Sequence, residues 1–432
     1  MVCKRILWLG LFVFNLQGVT FGQVIYKDTI VVLLKQSDSL FLAKNLSLMA
    51  EKFNVEATRA LILQSKLWDN PNITVNQNVV NSAYSQNGGR KWLDWTNNGE
   101  TSAQIQQLFL LAGKRNKRIS LARLTATREE QNYFDMFRTL KYSLRSGFYD
   151  IYYTQQIIKV YDKEIYALDK IIKVFESQLD KGYASKKDVL RLKSSLFSLE
   201  SERNGFITQL FGNLADFNVL MHTSGVYYLP LPDTVFLSGF STDSLRLAQI
   251  VDTALVSRYD LKMDQTDLDL NQYNLAYQKA MTVPDLNLIG GWDRNGSFIH
   301  NYNYLGFQID LPFFNRNQGN IQSAKATVES SKLKLLGTED QVRADVIQAF
   351  ATLIEDQQLF LRFDKKFAVE LERLNDEVVK NYEKRNISLL EFVDFYDAYK
   401  SNMVQLNTLL NNRANALENL NFSTGKEIIQ YP

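Results

Sequence analysis

The chain has 432 residues, with 49 Lys and Arg against 47 Asp and Glu, two histidines, one cysteine and six prolines. The near balance of charge gives no footing for nucleic-acid binding. One cysteine excludes a disulfide framework, and the proline positions leave residues 72–229 proline-free, which permits very long helices.

The N-terminus, 1–22, reads as an export signal. Lys4-Arg5 precede the apolar run 6–14, and Thr20-Phe21-Gly22 places small residues ahead of a cleavage point at Gln23. A membrane anchor needs about 20 apolar residues, more than this run supplies. Cys3 lies upstream of the apolar run, where a lipid-bearing cysteine cannot be, so the exported chain is expected to carry no thiol and no lipid anchor of that kind.

The remainder divides into two copies of one pattern: repeat 1 (23–225), a linker (226–242), repeat 2 (243–425) and a short tail (426–432). Each copy has a Pro-led strand pair, a long proline-free helix, a polar turn and a returning heptad helix. Asp38-Ser39-Leu40 aligns with Asp243-Ser244-Leu245, Pro71 with Pro284, Gln104-Ile105 with Gln308-Ile309, and Ser185 with Ser388, at offsets of 205, 213, 204 and 203. So long a period means duplication of a domain-sized motif rather than a solenoid.

In repeat 1 the spacing predicts strands over 72–83 and 101–112, then a helix over 114–181 that would reach ~100 Å. Tyr161, Ile165, Leu168, Ile172, Phe175 and Leu179 step by four and three, a heptad seam that Leu192, Leu196, Leu199, Phe206 and Leu210 continue after the turn. In repeat 2 the strands are predicted over 285–295 and 303–313. There Phe367, Leu371, Leu374 and Val378 lead into the turn, and Phe392, Tyr396, Tyr399, Met403, Leu406 and Leu410 return from it. A filamentous coiled-coil rod would share the heptads but not the alternation with strand pairs.

No later stretch has 18 consecutive apolar residues, so any membrane crossing would fall to strands. Leu305, Phe307, Ile309 and Leu311 alternate with polar or small residues, and Trp68, Trp92, Trp95 and Trp292 lie in or beside strand segments, as interfacial girdles would have them. Four strands cannot close a barrel, and open edges are not tolerated in lipid, so more than one copy must contribute.

The strand pair ending Leu108-Phe109 and Gly113-Lys114-Arg115, its counterpart Asp310-Leu311-Pro312-Phe313-Phe314-Asn315-Arg316-Asn317-Gln318-Gly319, and the two turns, in this order and spacing, resemble the TolC-like outer-membrane efflux proteins along the whole exported chain. The second segment is most similar to the cation-efflux branch. The resemblance implies a mixed, mainly α fold: a long antiparallel coiled-coil helical barrel joined to a membrane β-barrel shared by a homotrimer. It also implies a periplasmic membrane-fusion adaptor and, through it, an inner-membrane pump as partners.

The turns carry the expected mechanism. Ser185 with Asp188, and Ser388 with Glu391, fit the capping-box spacing, an ordinary structural role. By resemblance, Gly182, Tyr183, Ala184 and Ser185, with Arg385, Asn386 and Ser388, form the tip where the adaptor docks. Arg385 stands where the family often has Gly, and Asn386 is expected to supply a left-handed residue. Glu391 and Asp394 share a helix face and match a pair of acids ringing the tunnel's narrow end. Crowded carboxylates raise one another's pKa and attract cations; the alternative is a solvated helix N-terminus favoured by the dipole. Tyr382 and Asp188 match partners that latch neighbouring coils, although Ile387 replaces the family's Arg in that latch.

Lys114, Arg115, Lys117 and Arg118 open the first long helix, where positive charge opposes the dipole; lipid phosphate of the outer membrane or plain solvent would neutralise them. His222 and His300 have no metal-ligand spacing, and no nucleotide loop or cysteine nucleophile is present, so neither metal, cofactor nor enzyme chemistry is expected. The leading expectation is a passive exit duct, with a proton-driven pump for metal ions or small toxic compounds favoured over type I protein secretion. A non-transporting periplasmic scaffold and an envelope enzyme are the alternatives.

Overall fold

The computed structural model describes residues 28–77, 101–295, 299–363, 365–384 and 386–430. The export signal, residues 78–83 of the first expected strand, Trp92, Trp95 and Arg385 lie outside the described residues. The first repeat runs β1 (Asp28–Leu33), α1 (Leu34–Lys44), α2 (Leu46–Lys66), β2 (Asn72–Gln77), β3 (Thr101–Phe109), α3 (Lys114–Asp180) and α4 (Lys186–Leu220). The second runs β4 (Val226–Leu231), α5 (Thr234–Gly239), α6 (Leu247–Ser257), α7 (Tyr259–Ala280), β5 (Leu286–Asn295), β6 (His300–Ile309), α8 (Gln318–Arg362), α9 (Lys365–Glu383) and α10 (Leu389–Thr424).

The duplication is structural. α2 and α7 begin 213 residues apart, α3 and α8 204, α4 and α10 203. Each long helix opens behind a left-handed residue, Gly113 (φ 67°) or Asn317 (φ 56°), residue types that reach that region at low cost. The Asp-Ser-Leu match is corrected: Asp38 lies inside α1, whereas Asp243 precedes α6. A triplet that short recurs without structural meaning.

The segment expected as a linker, 226–242, is instead core. β4 pairs in parallel with β1, from Asp28 opposite Val226 to Leu33 opposite Leu231. Tyr228 and Leu237 are buried, and the buried Arg413 guanidinium donates to the carbonyls of Leu237 and Phe240 and to Gln357 Oε1. The expected tail is also tied down: Asn421 Oδ1 accepts from the backbone of Ile428 and Ile429, both at 2.9 Å. The upper core joins both repeats, with Phe148 and Ile151 of α3, Leu214 and Phe217 of α4, Val346 and Leu353 of α8, and Leu417 and Leu420 of α10. Neither half has this core alone.

The second sheet has the order β2-β3-β5-β6, all antiparallel, so the β3–β5 pairing joins the repeats and leaves β2 and β6 as edges. β3 stops at Phe109 rather than 112, because Ala112 and Gly113 take positive φ. β6 spans 300–309 rather than 303–313; Pro312 lacks the N–H a ladder needs, and the strand begins at His300. Register sorts the side chains. Ile73 faces Ile105, Ile105 faces Gly290, and Gly290 faces Leu305; Leu288 faces Phe307, and Leu286 lies between Phe109 and Ile309. The other side carries Thr74, Gln104, Gln106, Asn287, Tyr304 and Gln308. On the apolar side Ile73, Leu305 and Phe307 are 70%, 93% and 71% exposed.

α3 runs unbroken for 67 residues, as its sequence predicts. The corresponding helix of repeat 2 does not. α8 ends at Arg362, its cap residue Phe363 is extended (ψ 120°), and α9 starts at Lys365. No proline or glycine marks this break.

Candidate functional site at the paired helical turns

The first turn is a Schellman closure. Tyr183 N–H donates to Gln178 O at 2.8 Å and Gly182 N–H to Leu179 O at 2.9 Å. That geometry places Gly182 at φ 76°, where a side chain would be strained even though the space beside it is open. Ser185 then caps α4: Asp188 N–H donates to Ser185 Oγ at 3.1 Å, while the Ser185 hydroxyl donates to Asp188 Oδ2 at 2.8 Å. The expected reciprocal box is therefore altered, since Asp, one methylene shorter than Glu, answers the hydroxyl rather than the cap backbone.

The second turn repeats the closure, with Asn386 N–H donating to Asn381 O at 2.9 Å. Asn386 does not take the left-handed role expected of it: among the described residues, positive φ outside glycine occurs at Ala112, His222, Asn301 and Asn317. Here the capping box is complete: Glu391 N–H donates to Ser388 Oγ at 3.2 Å, and Ser388 N–H donates to Glu391 Oε2 at 2.8 Å. Hydrogen bonds from Ser388 to the carboxyl, the backbone N–H first and then the side chain, hold Glu391 below the usual carboxylate range. Within one subunit this is opposite to the upward shift expected from crowding. Asp394, one turn on, is exposed.

The fold brings the two turns together. Tyr183, Ala184, Ser185 and Asp188 of the first line one cavity of about 240 Å³ with Tyr382, Ile387 and Leu389 of the second. Tyr382 is buried, stacked between Phe175 (5.3 Å, 9°) and Phe392 (4.3 Å, 12°), and Tyr396 continues the stack at 5.0 Å. Burial, and then the nearby Asp188 charge, push the Tyr382 phenol up. Its hydroxyl has no hydrogen-bond partner among the described residues. Ile387 packs against the same lower core, in which Leu168, Ile172 and Leu192 of the first hairpin meet Tyr382, Phe392 and Tyr396 of the second.

Above the stack lies a polar clasp that sequence reading did not find. Glu164 is fully buried on α3; Asn375 Nδ2 of α9 donates to its Oε1 at 3.0 Å, and the Tyr396 hydroxyl of α10 donates to its backbone carbonyl. Tyr161 donates to Glu202 at 2.9 Å, and Lys400 of α10 reaches the same carboxylate at 3.0 Å. The available signal was a charged residue inside a heptad run, which without its partners resembles any solvated helix position.

At the sheet base, the basic cluster separates. Lys114 is buried, its ammonium 2.8 Å from Asp285 and donating to Val283 O at 2.6 Å, so it is neutralised inside the chain and removed from any lipid patch. Arg115 lies over Trp68 (4.7 Å) and donates to Lys66 O, and Lys117 donates to Ala112 O at 2.9 Å. Arg118 is half-buried.

Residues 250–426 match the family model described as outer membrane efflux protein. The cobalt-zinc-cadmium resistance protein CzcC of Cupriavidus metallidurans is 21% identical over 330 residues, 73% of this chain and 71% of that protein. Among solved structures, the Campylobacter jejuni CmeC outer membrane channel superposes with a TM-score of 0.71 at 13% identity, covering 92% of this chain and 87% of that one. The Neisseria gonorrhoeae MtrE outer membrane channel does so with a TM-score of 0.70 at 15% identity, covering 91% and 89%. At these identities the structural likeness speaks for the fold, and the sequence match for the descent. Over residues 250–426 the chain is similar to the outer membrane efflux protein family, and its fold is that of these channels.

Proposed function

We propose that this chain forms, as a homotrimer, the outer-membrane exit duct of a tripartite efflux system. The observation that carries the reading is the sheet: one apolar and largely exposed face, one polar face, and two free edges, continued below by coiled-coil hairpins. Such a sheet satisfies its backbone in lipid only by closing with further copies; four strands from each of three copies make a barrel of twelve. The protein resides in the outer membrane and extends into the periplasm.

The tip formed by Gly182, Tyr183, Ala184 and Ser185 with Arg385, Asn386 and Ser388 is the surface offered to the periplasmic adaptor, and a proton-driven inner-membrane pump supplies the energy. The similarity to the cobalt-zinc-cadmium resistance protein CzcC supports metal ions as cargo. Glu391 and Asp394 form the acidic constriction, and Tyr382 with Asp188 is the coil latch. Arg115, Lys117 and Arg118 remain the residues for lipid phosphate, without Lys114. No specific observation favours type I secretion or a scaffold.

Single-channel recording in planar bilayers tests the reading. The wild-type chain is expected to conduct as a heat-resistant oligomer, with divalent or trivalent cations blocking from the periplasmic side. Glu391→Gln with Asp394→Asn should weaken that block and leave the oligomer intact. Unchanged block removes these acids from the pore, and a water-soluble monomer without conductance overturns the duct.

A further inference from the structure

Gly291 and Tyr304 are direct partners across β5 and β6 on the polar side of the sheet. The Tyr304 ring lies so close over Gly291 that a Cβ added there would clash with the ring's Cζ and Cε1 and with its hydroxyl oxygen, whereas one at neighbouring Gly290 would meet Leu305 and Ile105 at ordinary distances of 3.6 and 3.7 Å. Past Gly291 the Tyr304 hydroxyl reaches β3, donating to Gln104 Oε1 at 3.1 Å. Tyr302, two residues earlier and on the same face, stacks on Tyr304 with centroids 5.8 Å apart at 20°.

Side chains in strands ordinarily stand away from the sheet. Tyr304 instead lies down across three strands, and the missing side chain at 291 is what makes room for it. Gly291 has no positive φ, so space rather than backbone conformation demands glycine here.

We infer that the Gly291–Tyr304–Gln104 contact sets the bore of the duct. The glycine provides a slot, the hydroxyl bond pins the ring to the wall, and a ring displaced from the slot would project into the lumen. The inference rests on the proposed shared barrel, in which the polar face lines the lumen. Every copy places its ring at the same height, so the narrowing from one displaced ring is multiplied by the number of subunits.

Single-channel conductance of the full chain in planar bilayers decides it. Gly291→Ala is expected to lower conductance, and Tyr304→Ala in that background to restore it. Gln104→Ala, which unpins the ring, is expected to lower conductance as well. Wild-type conductance in Gly291→Ala, or a double variant that stays low, overturns the inference. Where Gly291→Ala yields no assembled protein, Gln104→Ala decides alone, and its unchanged conductance overturns the inference too. If the wild-type chain itself forms no channels, the duct reading fails and this inference with it.

Discussion

Ser388 and Glu391 show how one residue can serve two readings. Each donates its backbone N–H to the other's side chain, an arrangement that closes the start of α10 whatever else the carboxylate does. Because the Glu391 carboxyl is held below its ordinary range, its contribution to the folded turn is complete above the unfolded-state pKa and is lost as pH falls through the lower, folded one. Hydrogen exchange of the turn is therefore expected to accelerate in acid. Ser388→Ala, which keeps the backbone N–H, should reduce that pH dependence and loosen the cap by about 1 kcal/mol, whereas Glu391→Gln should abolish the pH dependence. Exchange that ignores pH in the wild type would place the Glu391 carboxylate elsewhere. The Ser-x-x-acid spacing was legible in the sequence at both turns, because a cap is built within four residues. The left-handed role assigned to Asn386 was not legible, since turn closure counts from the helix end, and that end appears only with the hydrogen bonds.

At the scale of elements, the two hairpins differ in continuity. α3 is one helix, whereas its counterpart is divided at Phe363. Below that break α9 is held by Asn375 on the buried Glu164, by Lys163 on Glu372 at 3.4 Å, and by Tyr382 in its aromatic stack. Glu164→Ala leaves the Asn375 amide buried and without this acceptor, at a cost of about 1–3 kcal/mol. Glu164→Gln keeps the acceptor. Amide exchange across α9 is expected to rise in the first variant and stay near wild type in the second; equal exchange in both would assign the clasp no holding role. The heptads were readable because a seam repeats within each helix. The clasp was not, because Glu164 and Asn375 are 211 residues apart.

For the whole molecule, the proposed shared barrel turns on which side of the sheet meets lipid. Leu305 lies on the apolar face and Gln308 on the polar one. Leu305→Arg is expected to cost about 2–4 kcal/mol at bilayer depth, whereas an arginine on the lumen side is tolerated. The amount of heat-resistant oligomer in the outer membrane should therefore fall in Leu305→Arg and hold in Gln308→Arg. The reverse result would turn the sheet around.

The sequence by itself determined the duplication, the heptad pairing of the long helices, the alternation of β6 and the caps at both turns, because each is written as a spacing within one segment. Tertiary structure alone decided that 226–242 is a strand and helix of the core, that Lys114 belongs to Asp285, that the two turns share one cavity, and that Tyr304 lies over Gly291. These are meetings of residues from different elements. Periodicity shows which face a side chain takes and carries no information about what the folded chain places against it.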